Sequence, residues 1–99
     1  MSCKMILAEL LQELEKLEVN TNQLLIKRIG EYSDINDVYK SFETVAIQEN
    51  RDTREVIRTA INIKIQRLNN NNEFKLDTLI DLINFSKLLY VYEQERGNV

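Results

Sequence analysis

Two pairs of carboxylates stand one helical turn apart, Glu9 with Glu13 and Asp77 with Asp81. Acids at that spacing can share a proton or hold a metal ion. Both need further groups to do chemistry, and this chain offers few, with no histidine and a single cysteine, Cys3. Histidine-dependent triads, imidazole ligands and multi-thiolate zinc sites cannot be assembled from it. Gly30 stands alone within the chain and Gly97 near its end, so there is no glycine-rich phosphate loop either. Glu9 and Glu13 therefore read as a solvated helix face. Asp77 reads as a helix cap, with Asp81 a favourable charge one turn on. The sequence predicts a non-enzymatic protein with no catalytic residue, no metal and no cofactor.

Two further groupings suit binding better than turnover. Arg51, Arg54 and Arg58 could form a basic edge for a phosphate or an acidic partner, but Asp52 and Glu55 are interleaved with them, and a solvated face is the simpler reading. Tyr90 and Tyr92, in LLYVYEQER, point in different directions around a helix and cannot both enter one core. Tyrosine buries area while keeping a polar tip, which suits an interaction surface as well as edge packing.

The elements that position these residues are helices. Proline is absent, glycine occurs twice, and strand-and-turn folds need more of both. With 99 residues, 43% apolar and 29% charged, one globular domain over 1–99 is expected, its tail frayed from about residue 94. The net charge of −3 divides into five Lys/Arg against nine Asp/Glu in residues 1–50, and eight against seven in 51–99. That balance gives no electrostatic footprint for nucleic acid. Glu9, Gln12, Glu13 and Glu15 interrupt any secretory h-region, and no run is long enough for a membrane span. A single cysteine suits a reducing compartment, so a cytoplasmic location is expected.

Apolar spacing divides the chain into four helical regions. The first runs from Cys3 to about Leu17, after which Asn20, Thr21 and Asn22 are credible N-caps. The second spans Asn22 to about Gln48, as one kinked helix in preference to two, with Ser33 able to cap a fresh start in YSDIND. Asp52 with Glu55 resembles a capping box opening the third, which buries Val56, Ile57, Ala60, Ile61, Lys64's stem or Ile65, and Leu68. The alternation Ile61, Ile63, Ile65 would also suit a short strand, but no partner strand is in view. The last helix, capped by Asp77 and running to about Glu93, is apolar over more than one face, which places it centrally or leaves part of it for a partner. Short connections favour antiparallel neighbours, so the expected fold is all-α: an antiparallel up-down four-helix bundle, its second helix kinked or split. The tract Asn69–Asn72 ends the third helix, since asparagine tolerates the left-handed conformation, and Phe74 and Leu76 pin the corner to the core.

Over nearly its whole length the chain resembles the immunity proteins of pediocin-like (class IIa) bacteriocins, the enterocin A and mundticin immunity group. The resemblance rests on KMILAELLQELEKLE, YSDINDVY, IRTAINIKIQRL and FKLDTLIDLINFSKLLYVY. It implies a cytosolic bundle, peripheral at the inner face of the membrane, that protects a producer cell by acting on the complex of bacteriocin with mannose phosphotransferase membrane components. Specificity is attributed to the C-terminal half, which places partner recognition at Asn70, Asn71, Phe74, Lys87, Tyr90, Tyr92 and Arg96. The alternative is a small regulatory adaptor: an antitoxin, an anti-repressor or a dimeric helical scaffold.

Overall fold

The first helix does not stop at its candidate caps. In a computed structural model, which describes residues 4–70 and 75–96, α1 runs without interruption over Leu7–Tyr32. Three more helices follow: α2 over Lys40–Glu49, α3 over Thr53–Asn69 and α4 over Leu76–Glu95. The described residues form an all-α fold. Ile61, Ile63 and Ile65 lie within α3, so the strand reading fails there.

Thr21 and Asn22 fail as caps because their polar groups are used inside a continuing helix. The Thr21 hydroxyl donates to Glu18 O at 3.2 Å, and Asn22 Nδ2 donates to Glu18 Oε1 at 3.2 Å. Neither competes for the free N–H groups of a new helix start. The break expected near residue 20 falls instead at 33–39, so a kinked helix over 22–48 is replaced by the end of α1, a corner and α2. Ser33 organises that corner: its Oγ donates to Val38 O at 2.9 Å and accepts from Ser41 N at 3.2 Å. Asp34 adds an Asx turn by accepting from Asn36 N at 2.8 Å.

The α2–α3 connection is short and tightly specified. Asn50 adopts the left-handed conformation, φ 54°, ψ 49°. Arg51 N donates to Ala46 O at 2.8 Å and Asn50 N to Ile47 O at 3.3 Å, the paired bonds of a Schellman ending. Asp52 then caps α3, its carboxylate accepting from Arg54 N at 3.0 Å. Glu55 does not complete a capping box; its carboxylate lies 3.8 Å from Arg58 Nη1. Two other boundary expectations change. Asn70, at the end of α3, is extended (φ −82°, ψ 105°) rather than left-handed. Lys75 is the N-cap of α4, which puts Asp77 inside the first turn as a favourable charge. Asn71, Asn72 and Phe74 lie outside the described residues.

Helix α4 packs against both α3 and α1, and α2 leans on α3. Arg28 meets Asp81 while Lys87 meets Thr21, so α1 and α4 run antiparallel. Lys64–Asp81 and Arg54–Glu93 give the same sense for α3 and α4. The fully packed interior is small: Ala46, Val56, Ile57 and Tyr92, with the polar Thr21 and Asn84. Two edge-to-face ring pairs, Tyr39–Tyr92 at 5.2 Å and Phe42–Phe85 at 6.2 Å, fasten the corner and α2 to α4. The radius of gyration, 15.7 Å, exceeds the ~13 Å of a compact chain this long. Helix α1 is the cause, since its first three turns have no covered residue before Leu17.

Candidate functional site

Polar residues embedded in the apolar run of α4 tie the bundle together. Asp81, between Ile80 and Leu82, accepts from Arg28 Nη1 of α1 at 2.7 Å and faces Lys64 Nζ of α3 at 3.1 Å. The Asp81 and Lys64 side chains are only 12% and 16% exposed, so this three-helix junction is screened far less than a surface pair. The sequence left open whether Lys64 or Ile65 turns inward. The lysine does, because Asp81 awaits it, and Ile65 stays exposed.

Two turns further, Lys87 reaches α1. Its Nζ donates to Thr21 Oγ1 at 2.8 Å, Asn22 Oδ1 at 3.1 Å and Glu18 Oε1 at 3.2 Å. An ammonium has three protons, and here all three have acceptors. Thr21 is wholly buried, so this polar contact sits on the α1–α4 seam.

The C-terminal end of α4 holds an aromatic cluster. Tyr39 OH donates to Leu88 O at 2.7 Å, and its ring packs on Tyr92. Burial, then the charge of Glu95 and the neighbouring Tyr92, raise the Tyr39 pKa above the usual phenol value. The Arg96 guanidinium sits 5.0 Å from the Tyr92 ring centroid. Arg54 of α3 hydrogen-bonds Glu93, which raises its pKa and keeps it charged.

Two concavities flank this frame. The smaller, about 360 Å³, lies between the C-terminal half of α1, the corner, α2 and α4, and Ile29, Phe42, Asn84 and Phe85 are among its walls. The larger, about 770 Å³, is an open groove along α4 on the α1 side, with Leu25, Val38, Ile83, Tyr90 and Val91 on its walls and Lys87 at its rim. Tyr90 is 64% exposed there, its hydroxyl accepting from Gln94 Nε2 at 2.9 Å.

The structure therefore separates the expected recognition residues. Tyr90 is on the surface beside the groove, and Arg96 is exposed near it over the Tyr92 ring. Tyr92 is packed inside, at 8% exposure, instead of facing outward. Lys87 has its three donors directed to α1 instead of to solvent. Asn70 is exposed at the end of α3, while Asn71 and Phe74 lie outside the described residues. The supposed basic edge is internally paired: Arg51 with Glu49 and Thr59, Arg54 with Glu93, Arg58 with Glu55. Glu9 and Glu13 are exposed on α1, and Glu13 pairs with Lys16 at 3.3 Å. Asp77 is exposed too, whereas Asp81 is committed to its cations. Among the described residues, no group of three or more acidic or sulfur side chains is placed to hold a metal, and no helix is long and apolar enough to cross a membrane.

Compared with protein-family models, curated proteins and solved structures, the chain matches none.

Proposed function

We propose that this protein works by binding, without turnover, as an immunity protein of the class IIa bacteriocin kind. The observation that carries the reading is the groove along α4, about 770 Å³, edged by the exposed Tyr90 and Val91. An apolar concavity with an aromatic anchor suits capture of a protein segment. Its α4 wall, with Tyr90 and Val91, lies in the half of the chain to which the family resemblance assigns specificity. On this reading the protein stays in the cytoplasm, at the inner face of the membrane. It engages the bacteriocin-occupied receptor there, a complex of mannose phosphotransferase components, and holds it closed.

The test is protection. Expression of the chain in a bacteriocin-sensitive strain should raise survival against one or a few members of a class IIa panel. Replacing residues 69–99 with the matching segment of a class IIa immunity protein should move protection to that protein's bacteriocin. Tyr90→Ala should weaken protection at least tenfold while leaving the urea midpoint unchanged. Absence of protection across the panel, or unchanged specificity after the swap, would sink the proposal.

A further inference from the structure

The polar residues in the middle of α4 have partners, with one exception. Asp81 meets Arg28 and Lys64, Ser86 Oγ donates to Leu82 O at 2.8 Å, and Lys87 reaches its acceptors on α1. Asn84 lies between them, 6% exposed, and its Oδ1 is buried with no hydrogen-bond partner among the described residues. An acceptor buried in that way costs free energy in every state where nothing meets it. Asn84 stands on the wall of the cavity of about 360 Å³. The closely packed seams are α3–α4, α2–α3 and α1–α4, which leaves space between α1 and α2. Leu25, Ile29, Val38 and Leu88 line that space together with the edge-to-face rings of Phe42 and Phe85.

We propose that this cavity binds a small, neutral, flat aromatic molecule whose N–H or O–H donates to Asn84 Oδ1. Three observations set that chemistry. The unmet group is a carbonyl, so the ligand must donate. Arg28 and Asp81 are the charged residues of the wall, and they neutralise each other at 2.7 Å, so an ionic ligand would have to break the junction. Size and lining set the body of the ligand. An apolar cavity of about 150 Å³ already holds benzene, and 360 Å³ leaves room for a second fused ring beside the two phenylalanines. One water would satisfy the carbonyl yet fill only a small part of this volume. Leu25, Val38 and Leu88 are the residues shared with the groove along α4, so the site stands or falls independently of the partner proposed there.

Indole and benzofuran are matched probes, with the same fused-ring shape but an N–H donor in one and an acceptor oxygen in the other. Titrated into isotope-labelled protein and followed by NMR, indole should saturate a single site with a Kd of roughly 0.1–1 mM. Benzofuran should bind roughly fivefold more weakly, the worth of one neutral hydrogen bond. The shifts should centre on Ile29, Ser41, Asn84 and Phe85 of the cavity, and not on Ile83 and Val91 of the groove. Asn84→Leu should erase the preference for indole while benzofuran still binds. The comparison of the two probes uses the wild-type chain, so it decides the matter even if Asn84→Leu fails to fold. No saturable indole binding, benzofuran binding equal to or tighter than indole, shifts centred on the groove, or a preference that persists in Asn84→Leu would each overturn the proposal.

Discussion

Lys87 Nζ stands 2.8 Å from Thr21 Oγ1, and this bond joins α4 to the one wholly buried polar residue of α1. A lysine in the middle of an apolar helix would normally turn to solvent. Here its stem follows the seam and its ammonium meets three acceptors on adjacent turns of α1. Lys87→Met keeps the stem and removes the charge, leaving Thr21 without its cross-helix partner. The expected loss is about 1.5–3 kcal/mol, the range for hydrogen bonds to a charged group. Urea unfolding should show it as a lower midpoint at constant m. Thr21→Val removes one of the three acceptors and should cost less, about 1 kcal/mol.

The Asp81 junction behaves differently because two cations share one anion. Asp81→Asn leaves Lys64, only 16% exposed, facing a neutral amide with Arg28 beside it. Loss of the anion from a poorly solvated cation is the costly way to break such a pair. A destabilisation of about 2–4 kcal/mol is expected, with α1 and α3 both loosened against α4. Hydrogen exchange should show reduced protection in both helices, whereas Lys87→Met should loosen α1 alone. Lys64→Met together with Asp81→Leu should recover much of the loss, since an apolar pair can replace a buried ionic one.

Tyr39 gives the fold an alkaline limit. Its phenol is held above the ordinary value near 10.0 by burial, then by Glu95 and Tyr92. The folded state thus keeps a proton that the unfolded chain has already released. The corresponding stability is fully present below the unfolded-state value and is lost as pH rises through the folded one. As pH rises above about 10, the wild type should lose stability faster than Tyr39→Phe. At neutral pH the variant should be weaker by about 1 kcal/mol, through loss of the bond to Leu88 O. Urea midpoints at pH 7 and across the alkaline range, compared between the two proteins, measure both effects.

Much of this was legible in the chain, and the failures have physical causes. Apolar spacing located the last two helices to within two residues, because Val56 and Ile57 of α3 and Tyr92 of α4 fill an interior and Asp52 is a real cap. It misplaced the first break, because Thr21 and Asn22 have the chemistry of caps but use it within the helix and across to Lys87. The Arg28–Asp81–Lys64 junction was illegible for another reason. Its members are 53 and 17 residues apart from Asp81 in the chain, and only tertiary packing makes them neighbours. A sign was nonetheless present: Lys64 and Asp81 each interrupt an isoleucine- or leucine-rich run. For the candidate site, geometry told Tyr90 from Tyr92, a distinction that depends on which side of α4 receives Tyr39.

Of the asparagines expected to end α3 in a left-handed conformation, Asn70 is extended and Asn71 and Asn72 lie outside the described residues, while a left-handed asparagine does end α2. Among the described residues Asn50 is the one non-glycine with positive φ, at 54°. The reason is the length of the connection: α2 ends at Glu49 and α3 begins at Thr53, so the chain must reverse within three residues. A left-handed residue reverses it at once, and its N–H and that of Arg51 satisfy the last carbonyls of α2. Asparagine tolerates this backbone at modest cost, while a Cβ without a local hydrogen-bonding group pays roughly 1–2 kcal/mol. Asn50→Ala should therefore lower stability by about 1 kcal/mol although the side chain is exposed. Asn50→Gly relieves the Cβ contact but adds entropy to the unfolded chain, so it should fall within about 0.5 kcal/mol of wild type. Equal losses for alanine and glycine would show that the asparagine amide, and not the backbone, holds the turn. Urea midpoints for the three proteins at one pH decide between them.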